Sequence, residues 1–328
     1  MYPRSPLYVT WPAIAVRGAC ADGSTMMASV DAIPPAYERI DLHTHSRHSD
    51  GTLSPIALVD LAAQRQVQLL ALTDHDTLAG CAEAAQACAD RHIDFLYGSE
   101  LTALWRGREI HIVGLRLDPD TALLKTHLHG VLQQRIERIR RIGEKLTRAG
   151  LAGEDMVAEV LSLQGTPTRL HLAALLVARA HAKDVDDAFQ RWLGTGKRAA
   201  VPAHWPGIDL AVSAILAAGG LAVLAHPHRY KLSAGALSEL CRQFREFGGE
   251  GIEVSLPGLS PKDAGRMASM ARRFDLAGSC ASDFHAPGLP WRPLGRFAKL
   301  PEGVVPLTER LGLASPGTMT TNSHAPLA

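Results

Sequence analysis

His43 and His45 lie two residues apart after the apolar-edged run Ile40-Asp41-Leu42, and Asp50 follows in a polar stretch closed by Gly51. On a strand, alternate side chains share a face, so two histidines at this spacing can grip one metal ion. A carboxylate in the following loop can reach a neighbouring ion. Alone, such a pair is weak, because two histidines on one strand face are also ordinary polar surface. Recurrence gives it weight. Later apolar runs lead into Thr73-Asp74-His75-Asp76, Gly98-Ser99-Glu100, Ala225-His226-Pro227 and Ser282-Asp283-Phe284-His285, and His111 sits within Glu109-Ile110-His111-Ile112-Val113. Each strand thus delivers a His, Asp or Glu at its C-terminal end. Singly, His111 reads as a hydrogen-bonded core histidine and Glu100 as a loop carboxylate. Gathered without a cation, the nine residues His43, His45, Asp50, His75, Glu100, His111, His226, Asp283 and His285 would carry a severe desolvation cost. A mixed histidine and carboxylate set without cysteine suits Mn²⁺, Fe²⁺ or Zn²⁺. The pattern predicts a multinuclear metal site.

Such residues meet only if the strands bring their ends to one face. Strands are predicted at Arg39–His43, Gln68–Thr73, Ile93–Tyr97, Glu109–Leu115, Leu221–Ala225, Gly251–Val254 and Leu276–Ala281. Helical patterns fall between them, at Ser54–Arg65, Ala79–Arg91, Asp209–Ala218, Ala234–Phe247 and Pro261–Phe274; the first has Ser54 as cap and Pro55 at its first turn. This alternation predicts an α/β fold with a parallel sheet, either a barrel or doubly wound, whose active site lies at the C-terminal strand ends. From about Thr121 to Gly194 the rhythm breaks into consecutive helices, expected to form an insertion able to cover the mouth of the main domain. There Leu132, Ile136, Ile139, Ile142 and Leu146 make an apolar stripe, and Arg138, Arg141, Lys145 and Arg148 a basic one. The basic stripe reads first as a solvated face and second as a nucleic-acid track.

Lys+Arg number 34 and Asp+Glu 33, so a formal net charge of +1 gives no global attraction to nucleic acid or membrane. Five cysteines make no Cys-x-x-Cys pair, as expected for free thiols in a reducing cytoplasm. No apolar run is long enough to span a bilayer, and no obligate protein partner is evident. Residues 1–37 and 313–328 are expected to be disordered extensions, with barrel segments at 38–120 and 199–312 around the helical insertion at 121–198.

The ordered set His43-x-His45 with Asp50, Thr73-Asp74-His75-Asp76, Glu100, His111, Ala225-His226-Pro227 and Ser282-Asp283-Phe284-His285 resembles the PHP (polymerase and histidinol phosphatase) family of metal-dependent phosphoesterases. The resemblance implies a distorted (β/α)7 TIM-like barrel with three divalent ions, Mn²⁺ first and Fe²⁺ or Zn²⁺ as alternatives. It further implies one ion on His43, His45, Glu100 and Asp283, a second on Glu100, His111 and His226, and a third on Asp50, His75 and His285. The helical insertion is similar to that of the branch acting on nucleotides, the 3′,5′-nucleotide bisphosphate phosphatases and RNase AM-like 5′–3′ exoribonucleases. The stretches 166–171 and 194–198 resemble its substrate-facing segments.

The expected chemistry is hydrolysis of a nucleotide phosphate ester by a metal-bridged hydroxide. Arg169 and Lys197, supported by His171, are candidates for a second phosphate, with an ordinary helix-start surface residue the competing reading of Arg169. Asp74 and Asp76 are candidates to orient ligands or to protonate the leaving group. Expected substrates are a nucleoside 3′,5′-bisphosphate or a short 5′-phosphorylated RNA. The alternatives are another phosphomonoester such as histidinol phosphate, or a non-catalytic metal-dependent RNA-binding module.

Overall fold

In the computed structural model, the structure describes residues 37–163, 165–288 and 293–313; apart from Tyr37 and Leu313, which are held by hydrogen bonds to Asp94 and Thr308, the expectations for the two termini lie outside the described residues. Seven strands form one sheet in sequence order: β1 (Ile40–Asp41), β2 (Leu69–Leu72), β3 (Asp94–Trp105), β4 (Arg108–Leu115), β5 (Leu221–Leu224), β6 (Gly251–Ser255) and β7 (Ala277–Cys280). The two edges approach each other beyond the strand ends. Asp283 N–H donates to the His43 carbonyl at 2.9 Å, His45 N–H to that of Phe284 at 2.9 Å, and Thr44 bridges Phe284 in parallel. The sheet is therefore a nearly closed, distorted TIM-like barrel.

The sheet is not wholly parallel, which corrects the expectation from alternation. β3 and β4 form an antiparallel hairpin, and β4 also runs antiparallel to β5. The cause is local. Arg106 and Gly107, between the two strands, have φ of +49° and +75°, the left-handed pair that a two-residue hairpin turn requires. His111 therefore reaches the site from within a strand, opposite Thr102, and not from a strand end.

Helices α1 (Pro55–Gln64) and α2 (Cys81–Ala89) pack outside the first strands, and Ser54 Oγ caps α1 by accepting from Ala57 N–H. Between β4 and β5 the chain is helical: α3 (Ala122–Arg148), α4 (Gly153–Ser162), α5 (Arg169–Ala178), the short α6 (Val185–Ala188) and a π-turn at Phe189–Leu193. This segment has a core of its own, in which Ile139, Ile142 and Leu146 meet Met156, Val160, Leu172 and Leu176. The remaining helices, α7 (Ile208–Ala217), α8 (Ala234–Glu246), α9 (Pro261–Arg273) and the short α10 (Leu307–Arg310), complete the outer layer. Among the described residues no helix is long and apolar enough to cross a membrane.

Candidate metal centre

Glu100 is the hub. It sits on β3, fully buried, where its Oε2 lies 3.2 Å from Nε2 of His43, 3.2 Å from Nε2 of His45 and 3.1 Å from Nδ1 of His75. Its Oε1 lies 2.8 Å from both His111 Nδ1 and His226 Nε2. Five imidazoles thus converge on one carboxylate from β1, β2, β4 and β5. Asp283 Oδ1 adds a second carboxylate, 3.3 Å from His45 Nε2 and 3.6 Å from His43 Nε2. On the other side of His45, Asp50 lies 3.4 Å from His285 Nε2 and 3.7 Å from His75 Nε2.

The donor atoms fall into three groups, each within 4.8 Å: His43, His45 and Glu100; His75, Glu100 and His111; and His45, Asp50, His75 and His285. Against the expected sharing of ligands, His45 also approaches the Asp50 group and His75 also approaches Glu100. All nine anticipated residues are brought to one place. Several of their atoms are buried without a properly aligned hydrogen bond, among them Asp50 Oδ1, His75 Nδ1 and His226 Nδ1. Nε2 of His43 and of His45 stand 3.0 Å apart, so at most one of the facing nitrogens can carry the proton between them. Nitrogen and oxygen donors converging in this way fit a borderline or hard divalent ion.

The electrostatics are those of a crowded buried cluster. Burial alone pushes Glu100 up, but the charges of His43 and His111 outweigh it and hold the carboxyl well below its usual range. Burial pulls His43 down, yet Glu100, Glu253 and Asp283 together hold it well above its usual value. His75, where burial prevails over Glu100 and Asp50, falls to about 3 and stays a neutral donor.

The loops that carry these residues are tightly constructed. Gly51 N–H donates to the Ser46 carbonyl at 3.0 Å, and a Cβ there would come within 2.8 Å of Ser46 N and closer still to the His45 carbonyl; only glycine lets the Asp50 loop fold back so closely. Asp76, His226 and Asp283 all have positive φ (+50°, +28° and +51°), a conformation non-glycine residues rarely adopt outside sites that hold them in place.

Asp74 accepts from Ser46 N–H at 2.8 Å and from the Ser46 and Ser49 hydroxyls at 2.6 Å each, so it braces the loop between His45 and Asp50. Asp76 accepts from Thr102 N–H and Oγ1 and pairs with Arg135 of α3 at 2.6 Å. His171 Nδ1 accepts from Thr168 N–H at 3.1 Å and closes the start of α5. Arg169 pairs with Glu109 at 3.1 Å, and Lys197 lines a cavity farther out.

Several participants were not anticipated. Glu253 on β6 is buried; its Oε1 holds His43 Nδ1 at 2.7 Å and its Oε2 accepts the His226 amide at 2.5 Å. Its signal was present, a lone acid inside the apolar run Gly251-Ile252-Glu253-Val254. Arg229, on the 3₁₀ turn Pro227–Tyr230, ion-pairs with Asp283. Glu109 gathers Arg138, Arg169 and the Trp205 indole N–H at 3.1, 3.1 and 2.8 Å. The helical segment is pinned to the metal loop as well, through Thr166 N–H to the His48 carbonyl at 2.8 Å.

Comparison with known proteins agrees with this geometry. The PHP domain model matches residues 41–193. A 3′,5′-nucleoside bisphosphate phosphatase of Chromobacterium violaceum is 42% identical over 217 residues, covering 66% of this chain and 76% of that protein. The 5′–3′ exoribonuclease Rnm of Escherichia coli is 40% identical over 225 residues, covering 68% and 77%. A solved structure described as an amidohydrolase from Chromobacterium violaceum, with bound sulfate and no metal, superposes with a TM-score of 0.78 at 40% identity, covering 84% of this chain and 96% of that one. Barrel, ordered donor set and sequence relationship coincide, and the chain belongs to the PHP domain family.

Proposed function

We propose that this protein is a metal-dependent phosphoesterase that hydrolyses phosphate esters of nucleotides, removing the 3′-phosphate of nucleoside 3′,5′-bisphosphates and shortening 5′-phosphorylated RNA. One observation carries the reading. A cavity of about 170 Å³ is lined by Asp50, His75 and His111 together with Arg135, Arg138 and Arg169. Metal donors and guanidinium groups thus line one space fit for a phosphoryl group. The names of the two relatives above support nucleotides as the substrate class.

His43, His45, Glu100 and Asp283 would hold one ion, Glu100, His111 and His226 a second, and Asp50, His75 and His285 a third, with Mn²⁺ the first candidate. Bound divalent ions supply Lewis acidity toward phosphoryl oxygens and acidify water for attack at neutral pH. The protein's own groups do the positioning. Arg169 and Arg138, held apart by Glu109, present N–H donors to substrate oxygens, and Lys197 contributes charge farther out. Arg229 ion-pairs with Asp283 and so steadies that carboxylate at the donor cluster. With all their oxygens engaged by backbone, hydroxyl or guanidinium donors, Asp74 and Asp76 are assigned to holding loops and not to moving protons. His171 is assigned to docking α5 and not to the second phosphate.

Glu253 fixes the ring of His43 by occupying Nδ1, which leaves Nε2 for the metal side. Glu253→Gln is expected to fold normally and to lower metal affinity and turnover by about 10–100-fold, as such supporting carboxylates do elsewhere. Titrating metal-free protein with Mn²⁺ tests this, and an unchanged affinity would remove Glu253 from the centre's support.

The function itself is tested by incubating purified protein with Mn²⁺ and either adenosine 3′,5′-bisphosphate or a 5′-phosphorylated oligoribonucleotide. Phosphate from the first and mononucleotides from the second are the expected products. Inactivity on both, with metal demonstrably bound, would overturn the nucleotide assignment.

A further inference from the structure

Asp50 reaches the donor cluster from a loop, residues 46–52, and the barrel braces one side of it. Asp74 takes the Ser46 amide and the Ser46 and Ser49 hydroxyls, and Thr52 N–H donates to the His285 carbonyl at 2.8 Å. The carbonyls of Arg47 and His48 meet the helical insertion instead. Thr166 N–H donates to the His48 carbonyl at 2.8 Å. Gly165 lies so near that a Cβ on it would stand 2.7 Å from the Arg47 carbonyl oxygen and 3.0 Å from that of His48. Glycine is what permits this approach.

His171, in the first turn of α5, completes the contact. Its Nδ1 accepts from Thr168 N–H at 3.1 Å, which puts the ring proton on Nε2. The ring also hydrogen-bonds the Ser49 backbone, where a donor nitrogen pairs with the carbonyl. Burial holds the imidazole below its usual pKa, so it stays neutral with one donor and one acceptor. One ring thus has two tasks: it closes the start of α5, and it holds the residue immediately before Asp50. The same stretch has a second face, because Pro167, Thr168, Arg169 and Leu170 line the small cavity at the metal centre. Residues 165–171 therefore touch a metal-bearing loop and the phosphate cavity together.

We infer that residues 165–171 are a strap that sets the position of Asp50, with His171 as its positioning residue. The inference rests on the metal-centre reading given above. His171 acts through the Ser49 carbonyl on the next residue, not through contact with an ion. Docking of the helical insertion then completes the group of Asp50, His75 and His285. The two tasks of His171 separate by side-chain length. Asparagine places Oδ1 where Nδ1 lies, so it keeps the cap but falls short of Ser49. Glutamine reaches as far as Nε2, so it keeps the Ser49 contact and leaves Thr168 N–H without its side-chain acceptor.

Hydrogen exchange of the metal-free proteins reads the loop directly. In His171→Asn, exchange across residues 46–51 is expected to rise up to about tenfold, the effect of one lost hydrogen bond, while the first turn of α5 stays as in wild type. His171→Gln is expected to show the reverse. Titration with Mn²⁺ should show one binding step weakened about tenfold in His171→Asn, the low end for a group that supports a ligand, and near wild-type affinity in His171→Gln. With adenosine 3′,5′-bisphosphate, His171→Asn should lower kcat at nearly constant KM. His171→Gln should instead raise KM, because Arg169 stands at the loosened helix start. Gly165→Ala, which pushes the strap off the loop and leaves the cap alone, should reproduce the asparagine pattern. Equal effects of the asparagine and glutamine variants on residues 46–51, or none from either, overturn the strap. Wild-type protein that binds no Mn²⁺ overturns the metal centre and the strap's role with it. Wild-type protein that binds Mn²⁺ but turns over no nucleotide refutes only the substrate assignment, and exchange and titration then still decide the strap.

Discussion

Glu100→Gln is expected to abolish measurable turnover, a loss on the order of 10³-fold or more, while leaving the barrel folded. Removing a supporting carboxylate that touches one metal-bound histidine costs about 10–100-fold. Glu100 touches five imidazoles and belongs to two of the three donor groups, so its loss reaches beyond any single ligand. A glutamine keeps the size and one acceptor but removes the negative charge, and its N–H₂ would point at imidazole nitrogens that need to present lone pairs. Two ions should therefore be lost together. Elemental analysis of the purified variant should show metal content well below wild type, with the Asp50, His75 and His285 group the one most able to retain its ion. Wild-type metal content together with wild-type turnover would remove Glu100 from the centre of the mechanism. Circular dichroism guards against misfolding as the cause, because β3 packs through Leu101 and Ala103 on its other face and does not depend on the carboxylate.

The donor set was readable in the sequence because its chemistry is local. Two histidines at strand spacing, and acids and histidines recurring after apolar runs, carry their meaning without knowledge of what they face. Direction was harder. Alternation of strands and helices points to a parallel sheet, but the two-residue turn Arg106-Gly107 reverses β4. Partnerships across the sheet were invisible for a different reason. Asp76 with Arg135, Glu253 with His43 and Glu109 with Arg138, Arg169 and Trp205 join residues 29 to 210 positions apart. No spacing rule encodes such contacts; they are decided by which helix lands on which strand. Glu253 gave the clearest hint, since a buried acid in an apolar strand needs a partner. Asp41 is a second case. It lies buried in β1, accepts from the Ser282 and Gly295 amides at 2.9 and 2.7 Å, and burial pushes its carboxyl up to about 6. Its place in the sequence, between Ile40 and Leu42, carried the same hint.

Arg135 and Asp76 supply the largest expected effect on stability. Arg135 Nε donates to Asp76 Oδ2 at 2.7 Å and its NH2 to Thr102 Oγ1 at 2.6 Å; both charged groups are nearly solvent-free. The pair ties α3 to the loop after β2, so it joins the helical segment to the metal-bearing barrel. Arg135→Met alone leaves a buried carboxylate without its cation and should cost about 3–5 kcal/mol, a fall in Tm on the order of 10 °C. Asp76→Asn alone should also destabilise, because it leaves the guanidinium unpaired. The double variant Asp76→Asn/Arg135→Met should recover most of the loss. Asparagine still accepts from Thr102 N–H and tolerates the left-handed backbone at +50°, and methionine fills the space without a charge. A double-mutant cycle on denaturation midpoints measures the coupling, and additive single effects would show that the pair is not what holds α3 in place. Turnover should separate from stability in the same set. Arg135 also lines the small cavity together with Asp50 and His75, so the rescued double variant should stay slow on phosphate esters although it is again well folded. Recovery of activity along with stability would instead confine Arg135 to anchoring and leave Arg138 and Arg169 as the cavity's guanidinium groups that meet the substrate.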